Sequence, residues 1–153
     1  MSAAPSDATP THTGSCHCGH VTYTGSFDLV SGHIIKCNCS ICHKKGYFLL
    51  SPTSTASFSL LTPTSESELA DYQFAKKLVH HYACPKCSTS VYISGFFEMG
   101  DEEIPFMAVM ANTLDKRLDG EPLEDLRKVK IKYIDGRHDK LELLDEPFPG
   151  GAW

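Results

Sequence analysis

Three cysteines fall within six positions in the stretch CNCSICHKKG, residues 37–46. Four more sit in two pairs, Cys16 and Cys18 in CHC and Cys84 and Cys87 in CPKC. Thiols grouped this tightly among small or polar neighbours form the donor set of a metal ion, not a scatter of core residues. Residues i and i+2 of an extended chain face the same side, so Cys16 and Cys18 can offer both sulfurs to one ion. Cys84 and Cys87 have the C-x-x-C spacing of a zinc knuckle, with Pro85 and Lys86 in the turn between them. Two and two make a closed tetrahedral site, which reads as a structural zinc tying the first strand to the middle of the chain.

Cys37, Cys39 and Cys42 fuse a C-x-C to a C-x-x-C, so all three can reach one ion from a single loop. Three protein ligands and a vacant position describe a catalytic zinc. A closed second site, completed by His33, His43, His81 or a carboxylate, is the other reading, and a loop sharing ligands with Cys84 and Cys87 is a third. In the open reading three thiolates leave Zn²⁺ with a net negative charge, which suits it poorly for activating water and well for holding an incoming thiolate. The expected substrate is therefore a small thiol, met by a small aldehyde. Lys44 and Lys45 are candidates for its negative groups, and His81 for proton donation to the alkoxide that forms. His80, on the opposite face of the same strand, is expected in solvent.

These residues need a scaffold, and the sequence supplies short strands. HVTYTG, HIIKC, YFLL, SFSLL, DYQFAK, LVHHYA, SVYISG, IPFMAVM and VKIKYI are β-like runs separated by Gly, Pro, Ser and Asp. Helical signal is poor, the best candidate being one or two turns in DGEPLEDLRK. The reading is a mainly β domain of short antiparallel sheets stapled by zinc, with little helix. Residues 1–12 read as a flexible arm, 13–140 as the domain and 141–153 as a tail in which Trp153 either docks or hangs free.

The 153 residues suit one domain, and 14 Lys+Arg against 19 Asp+Glu give a formal net charge of -5. No global basic field is available for nucleic acid or an anionic membrane, and no stretch reaches the roughly 18 apolar residues of a membrane span. An odd count of seven clustered cysteines fits a reducing compartment, so a cytoplasmic location is expected, with the nucleus left open. Nothing in the pattern speaks to oligomeric state.

GSCHCGHVTY, CNCSICHKKGY, DYQFAKKLVHHYACPKCSTSVYI and the later NTLD and VKIKYIDG resemble the glutathione-dependent formaldehyde-activating enzyme and centromere protein V domain family over residues 12–136. The resemblance implies a β-tent fold and two zinc ions per chain. One would be structural on Cys16, Cys18, Cys84 and Cys87, and a second, catalytic or labile, would sit on Cys37, Cys39 and Cys42. It also implies condensation of formaldehyde with glutathione to S-(hydroxymethyl)glutathione, formally a carbon-sulfur lyase run in the synthetic direction. Where relatives carry Asn and Arg, this chain has Met110 and Asn112, so Asn112 replaces a bidentate carboxylate clamp with a single amide at the substrate. Two other classes stand beside the enzyme: a zinc-stabilised binding module, as the centromere-type relatives suggest, and a metal or redox buffer built on the three-cysteine loop.

Overall fold

A computed structural model describes residues 9–149. Among them the chain forms eleven strands and one short α-helix, so the expected mainly β class is observed. Strands β1 (His12–Ser15), β2 (Thr22–Gly25), β5 (Ser59–Thr62) and β10 (Leu114–Arg117) make a four-stranded antiparallel sheet in the order β10-β1-β2-β5. A second sheet has the order β11-β3-β4-β9-β8-β7-β6. Its members are β3 (His33–Cys37), β4 (Leu49–Leu50), β6 (Ala70–Tyr72), β7 (Val79–Ala83), β8 (Ser90–Met99), β9 (Glu102–Met110) and β11 (Lys130–Ile134).

The two sheets enclose the main core, and alternation along the strands explains why some runs are apolar throughout. Met107 and Val109 of β9 join Tyr23, Ile34, Leu50 and Tyr92 in that core. Ala108 and Met110 join Cys42, Tyr47 and Ile93 in a second cluster on the other face of the larger sheet. A strand covered on both faces has no polar alternation to show, which is why IPFMAVM reads as a continuous run. The second cluster is covered by helix α1 (Ser40–Lys45), which carries the third cysteine of the 37–42 group.

Several details depart from the sequence reading. β11 lies parallel to β3, with Ile134 opposite Cys37, so the larger sheet is mixed and not purely antiparallel. The acidic DGEPLEDLRK yields one 3-10 turn, Leu126–Lys128, while the α-helix forms inside the expected cysteine loop. Pro122 and Gly120 interrupt the first stretch, whereas Gly46, in the left-handed conformation at φ +66°, closes α1 through its N–H to the Cys42 and His43 carbonyls. DYQFAK is a strand only to Tyr72 and then turns. His12, placed at the end of the arm, is buried in β1 with its Nε2 3.0 Å from Glu124 Oε1. In the tail Leu144 pairs with Tyr133 of β11, while residues 1–8 and 150–153, Trp153 included, lie outside the described residues.

Candidate metal centres and substrate site

Cys16 follows β1 directly and Cys18 occupies the turn into β2, while Cys84 and Cys87 occupy the turn from β7 into β8. Each turn is fixed by its own backbone: Gly19 N–H donates to the Cys16 carbonyl at 3.2 Å, and Ser88 N–H to the Cys84 carbonyl at 2.9 Å. The four sulfurs lie within 4.8 Å of one another. Cys16 Sγ–Cys18 Sγ and Cys18 Sγ–Cys84 Sγ are both 3.7 Å. A tetrahedron of thiolates at a zinc–sulfur distance of 2.3 Å has an edge of about 3.8 Å, so the arrangement fits such an ion. Backbone N–H groups also face the sulfurs, from Val21 to Cys16 at 3.2 Å and from Lys86 and Cys87 to Cys84 at 3.3 and 3.4 Å. Donors aimed at sulfur stabilise the thiolate. The Thr89 hydroxyl, with the Cys18 backbone N–H, pulls the Cys87 thiol down to about 5.

The second group is local. Cys37 ends β3, Cys39 caps α1 and Cys42 is buried within it, and the three sulfurs again lie within 4.8 Å of one another. The Cys39 N–H donates to Cys37 Sγ at 3.4 Å. Cys39 is drawn toward the thiolate by hydrogen bonds from Cys37 and then Cys42, while hydrogen bonds with Cys37 and then Cys39 push the Cys42 thiol far up. Thiols this close oppose one another's ionisation, and a bound cation would remove that opposition. Among the described residues no histidine or carboxylate completes this group, and it shares no ligand with Cys84 or Cys87. His43 stays out of it, its buried Nδ1 without a hydrogen-bond partner. Both clusters could hold metal ions, as the spacing led one to expect.

Residues that the sequence reading passed over fasten the trio from the side. Asn38, buried between two of the cysteines, donates from Nδ2 to Asp135 Oδ1 at 2.8 Å and accepts from the Arg137 N–H at 3.0 Å. This clamps the turn after β11 over the cysteines. A Cβ on Gly136 would stand 2.4 Å from Cys37 Sγ and 3.3 Å from Cys39 Cβ, so space alone demands glycine there. The Asp-Gly dipeptide ending VKIKYIDG was the available signal.

His81 of β7 sits on the face that carries α1, opposite Ile93 of β8 and Tyr72 of β6. Its Nδ1–H donates to the Tyr72 carbonyl at 3.0 Å, which leaves Nε2 as the lone-pair nitrogen of the neutral ring. Burial lowers its pKa below 6.5 and the Lys45 ammonium adds to that, against the Tyr72 carbonyl, Cys39 and Asp71, which pull it up. Tyr47 stacks on it at 6.2 Å between centroids, and the Tyr47 N–H donates to the Cys42 carbonyl at 3.0 Å. His80 lies on the other face, half-exposed, with Nδ1 2.7 Å from Asp71 Oδ2.

An open cleft of about 650 Å³ runs from Cys16 past Lys45 and Tyr47 to Asn112 and Asp115. It brings together two of the expected substrate contacts, Lys45 and Asn112, whereas Lys44 does not line it. The cleft meets the four-cysteine group directly and the three-cysteine group only through the last residue of α1 and the two that follow it.

Comparison with known proteins gives the family and the fold. The model of a family described as "Glutathione-dependent formaldehyde-activating enzyme" matches residues 11–129. A crystal structure of a Rhodobacter sphaeroides protein superposes with a TM-score of 0.52 at 23% identity, covering 78% of this chain and 98% of that one. At that identity the likeness speaks for the fold. Among the described residues no helix is long and apolar enough to cross a membrane.

Proposed function

The chain belongs to the glutathione-dependent formaldehyde-activating enzyme family, and from that premise we propose that it joins a glutathione-like thiol to formaldehyde or a small aldehyde, and splits the same adduct in reverse. The observation that carries this reading is the trio Cys37, Cys39 and Cys42, which gathers three sulfurs with no fourth protein ligand among the described residues and has a neutral histidine close by. A zinc ion held by these three residues would supply a fourth position that keeps an incoming sulfur as thiolate. The ion on Cys16, Cys18, Cys84 and Cys87 is structural in this reading.

His81 starts neutral, so it takes the thiol proton on Nε2 before it donates one. The sulfur lone pair then forms the carbon–sulfur bond, the carbonyl π electrons move to oxygen, and His81 returns its proton to that alkoxide. No charge is left over and nothing is oxidised. Lys45 and Asn112 hold the polar end of the thiol in the cleft, Lys45 by charge and Asn112 by a single amide.

Thiols add to formaldehyde unaided, so the test must read acceleration. Exchange of carbon-13 formaldehyde hydrate with its glutathione adduct, followed by NMR, should be faster with zinc-loaded protein than in buffer, and Cys42→Ser should return it to background. Equal rates for protein, variant and buffer would sink the reading.

A further inference from the structure

Tyr72 and Phe74 are 52% and 39% exposed, yet they are stacked on one another at 5.6 Å between centroids and 22° between planes. Both touch His81, with centroids 6.2 and 5.5 Å away. His81 also stacks on Tyr47, whose N–H donates to the Cys42 carbonyl. The rings thus cluster on the face of the larger sheet that carries the three-cysteine group.

The turn after this pair is closed by two hydrogen bonds. Lys77 N–H donates to the Phe74 carbonyl at 2.8 Å, and Gln73 Nε2 to the Lys77 carbonyl at 2.9 Å. Ala75 and Lys77 both adopt the left-handed conformation, at φ +53° and +57°, although neither is glycine. Two such residues within three positions are an unfavourable backbone that the surroundings maintain, and such strain gathers at ligand clamps. The His81 ring adds an Nε2 with no hydrogen bond among the described residues. Two exposed rings beside one unpaired nitrogen match the size of a small planar substituent, not of a protein face.

We propose that Tyr72 and Phe74 form a specificity wall that receives the substituent on the carbon attached to sulfur, so that the site favours adducts of aryl or other bulky apolar aldehydes over that of formaldehyde. The proposal rests on the thiol-binding reading of the three-cysteine site. A hydroxymethyl group has one carbon and leaves both rings in water, whereas an aryl group stacks on them and covers them.

Benzyl mercaptan and ethanethiol mimic the two kinds of adduct, since each places its substituent on the carbon next to sulfur. Titrated into cobalt-substituted protein and read by the thiolate-to-metal absorption band, benzyl mercaptan should half-saturate at about tenfold lower concentration than ethanethiol. In Phe74→Ala and Tyr72→Ala that ratio should shrink by several-fold while ethanethiol binding and metal content stay unchanged. Phe74→Leu, which keeps apolar bulk without the ring, should fall between. The variants separate the wall from the intrinsic acidity of the two thiols. Equal half-saturation in the unmodified protein, or a preference that survives both alanine substitutions, overturns the wall alone. Silence from both thiols overturns the thiol-binding reading and the wall with it.

Discussion

At the scale of single residues, His81 is the group whose chemistry the surroundings set most clearly. Burial, then the neighbouring Lys45, lowers its pKa below 6.5, while the Tyr72 carbonyl, Cys39 and Asp71 moderate the shift. The unfolded chain therefore binds this proton at higher pH than the folded one, so the contribution to stability falls as pH drops below 6.5. The kcat/KM for condensation should show an acid limb with its midpoint below 6.5, because protonated His81 cannot accept the thiol proton. His81→Gln should lose at least about a hundredfold in rate and also lose the limb, with metal content unchanged, and a pH–rate profile of the two proteins checks this. Gly136 tests the opposite kind of residue, one that acts by having no side chain. Since a methyl group there would overlap Cys37 Sγ, Gly136→Ala should weaken metal at the three-cysteine site by about tenfold or more and leave the other site filled, as competition with a chromophoric chelator would measure. The two cysteine groups were legible from type and spacing. Gly136 was not, because its meaning lies in a sulfur almost a hundred positions away.

Elements were legible where pattern alone makes them. HIIKC and SVYISG became strands because β-branched and aromatic residues fit a pleated surface wherever they land. β1 and β10 were missed, since HTGS and LDKR carry no such signal and are strands only because they pair with each other and, through β1, with β2. α1 was missed for a related reason: six residues are too few to show helical periodicity, and the stop signal at Gly46 came without a visible start. β11 shows what position adds to pattern, because its parallel pairing with β3 carries the following turn onto the cysteines. The clamp from Asn38 to Asp135 then fastens that turn to the loop between Cys37 and Cys39. Asn38→Ala removes both of its bonds. Amide hydrogen exchange in residues 135–139 should then quicken and metal at the trio should bind some 10–100-fold more weakly, while the β7–β8 amides keep their protection. Unchanged exchange across that turn would mean the parallel pairing alone holds it.

Over the whole molecule the chain puts the two cysteine clusters in different settings. Cys16 and Cys18 lie between two strands of the four-stranded sheet and Cys84 and Cys87 between two strands of the seven-stranded one, so an ion there would link two sheets that otherwise meet through their apolar faces. The three-cysteine group lies within one sheet and its attached helix, and closes no long loop. Cross-links stabilise in proportion to the chain entropy they remove, so losing the first should cost far more than losing the second. Cys84→Ser should lower the unfolding free energy by about 2–5 kcal/mol, the size of a lost covalent cross-link over a long loop. Cys42→Ser should cost about 1 kcal/mol or less beyond its lost packing and abolish activity. Urea unfolding of both variants, with metal content measured beforehand, separates these outcomes. A chelator titration gives the same contrast without mutation. Activity should vanish at the first equivalent of metal removed, because the trio has fewer protein ligands, and the cooperative unfolding transition should shift only when the second leaves. Simultaneous loss of activity and fold would mean that the two sites are thermodynamically one, with the catalytic loop held in shape by the ion that joins the sheets.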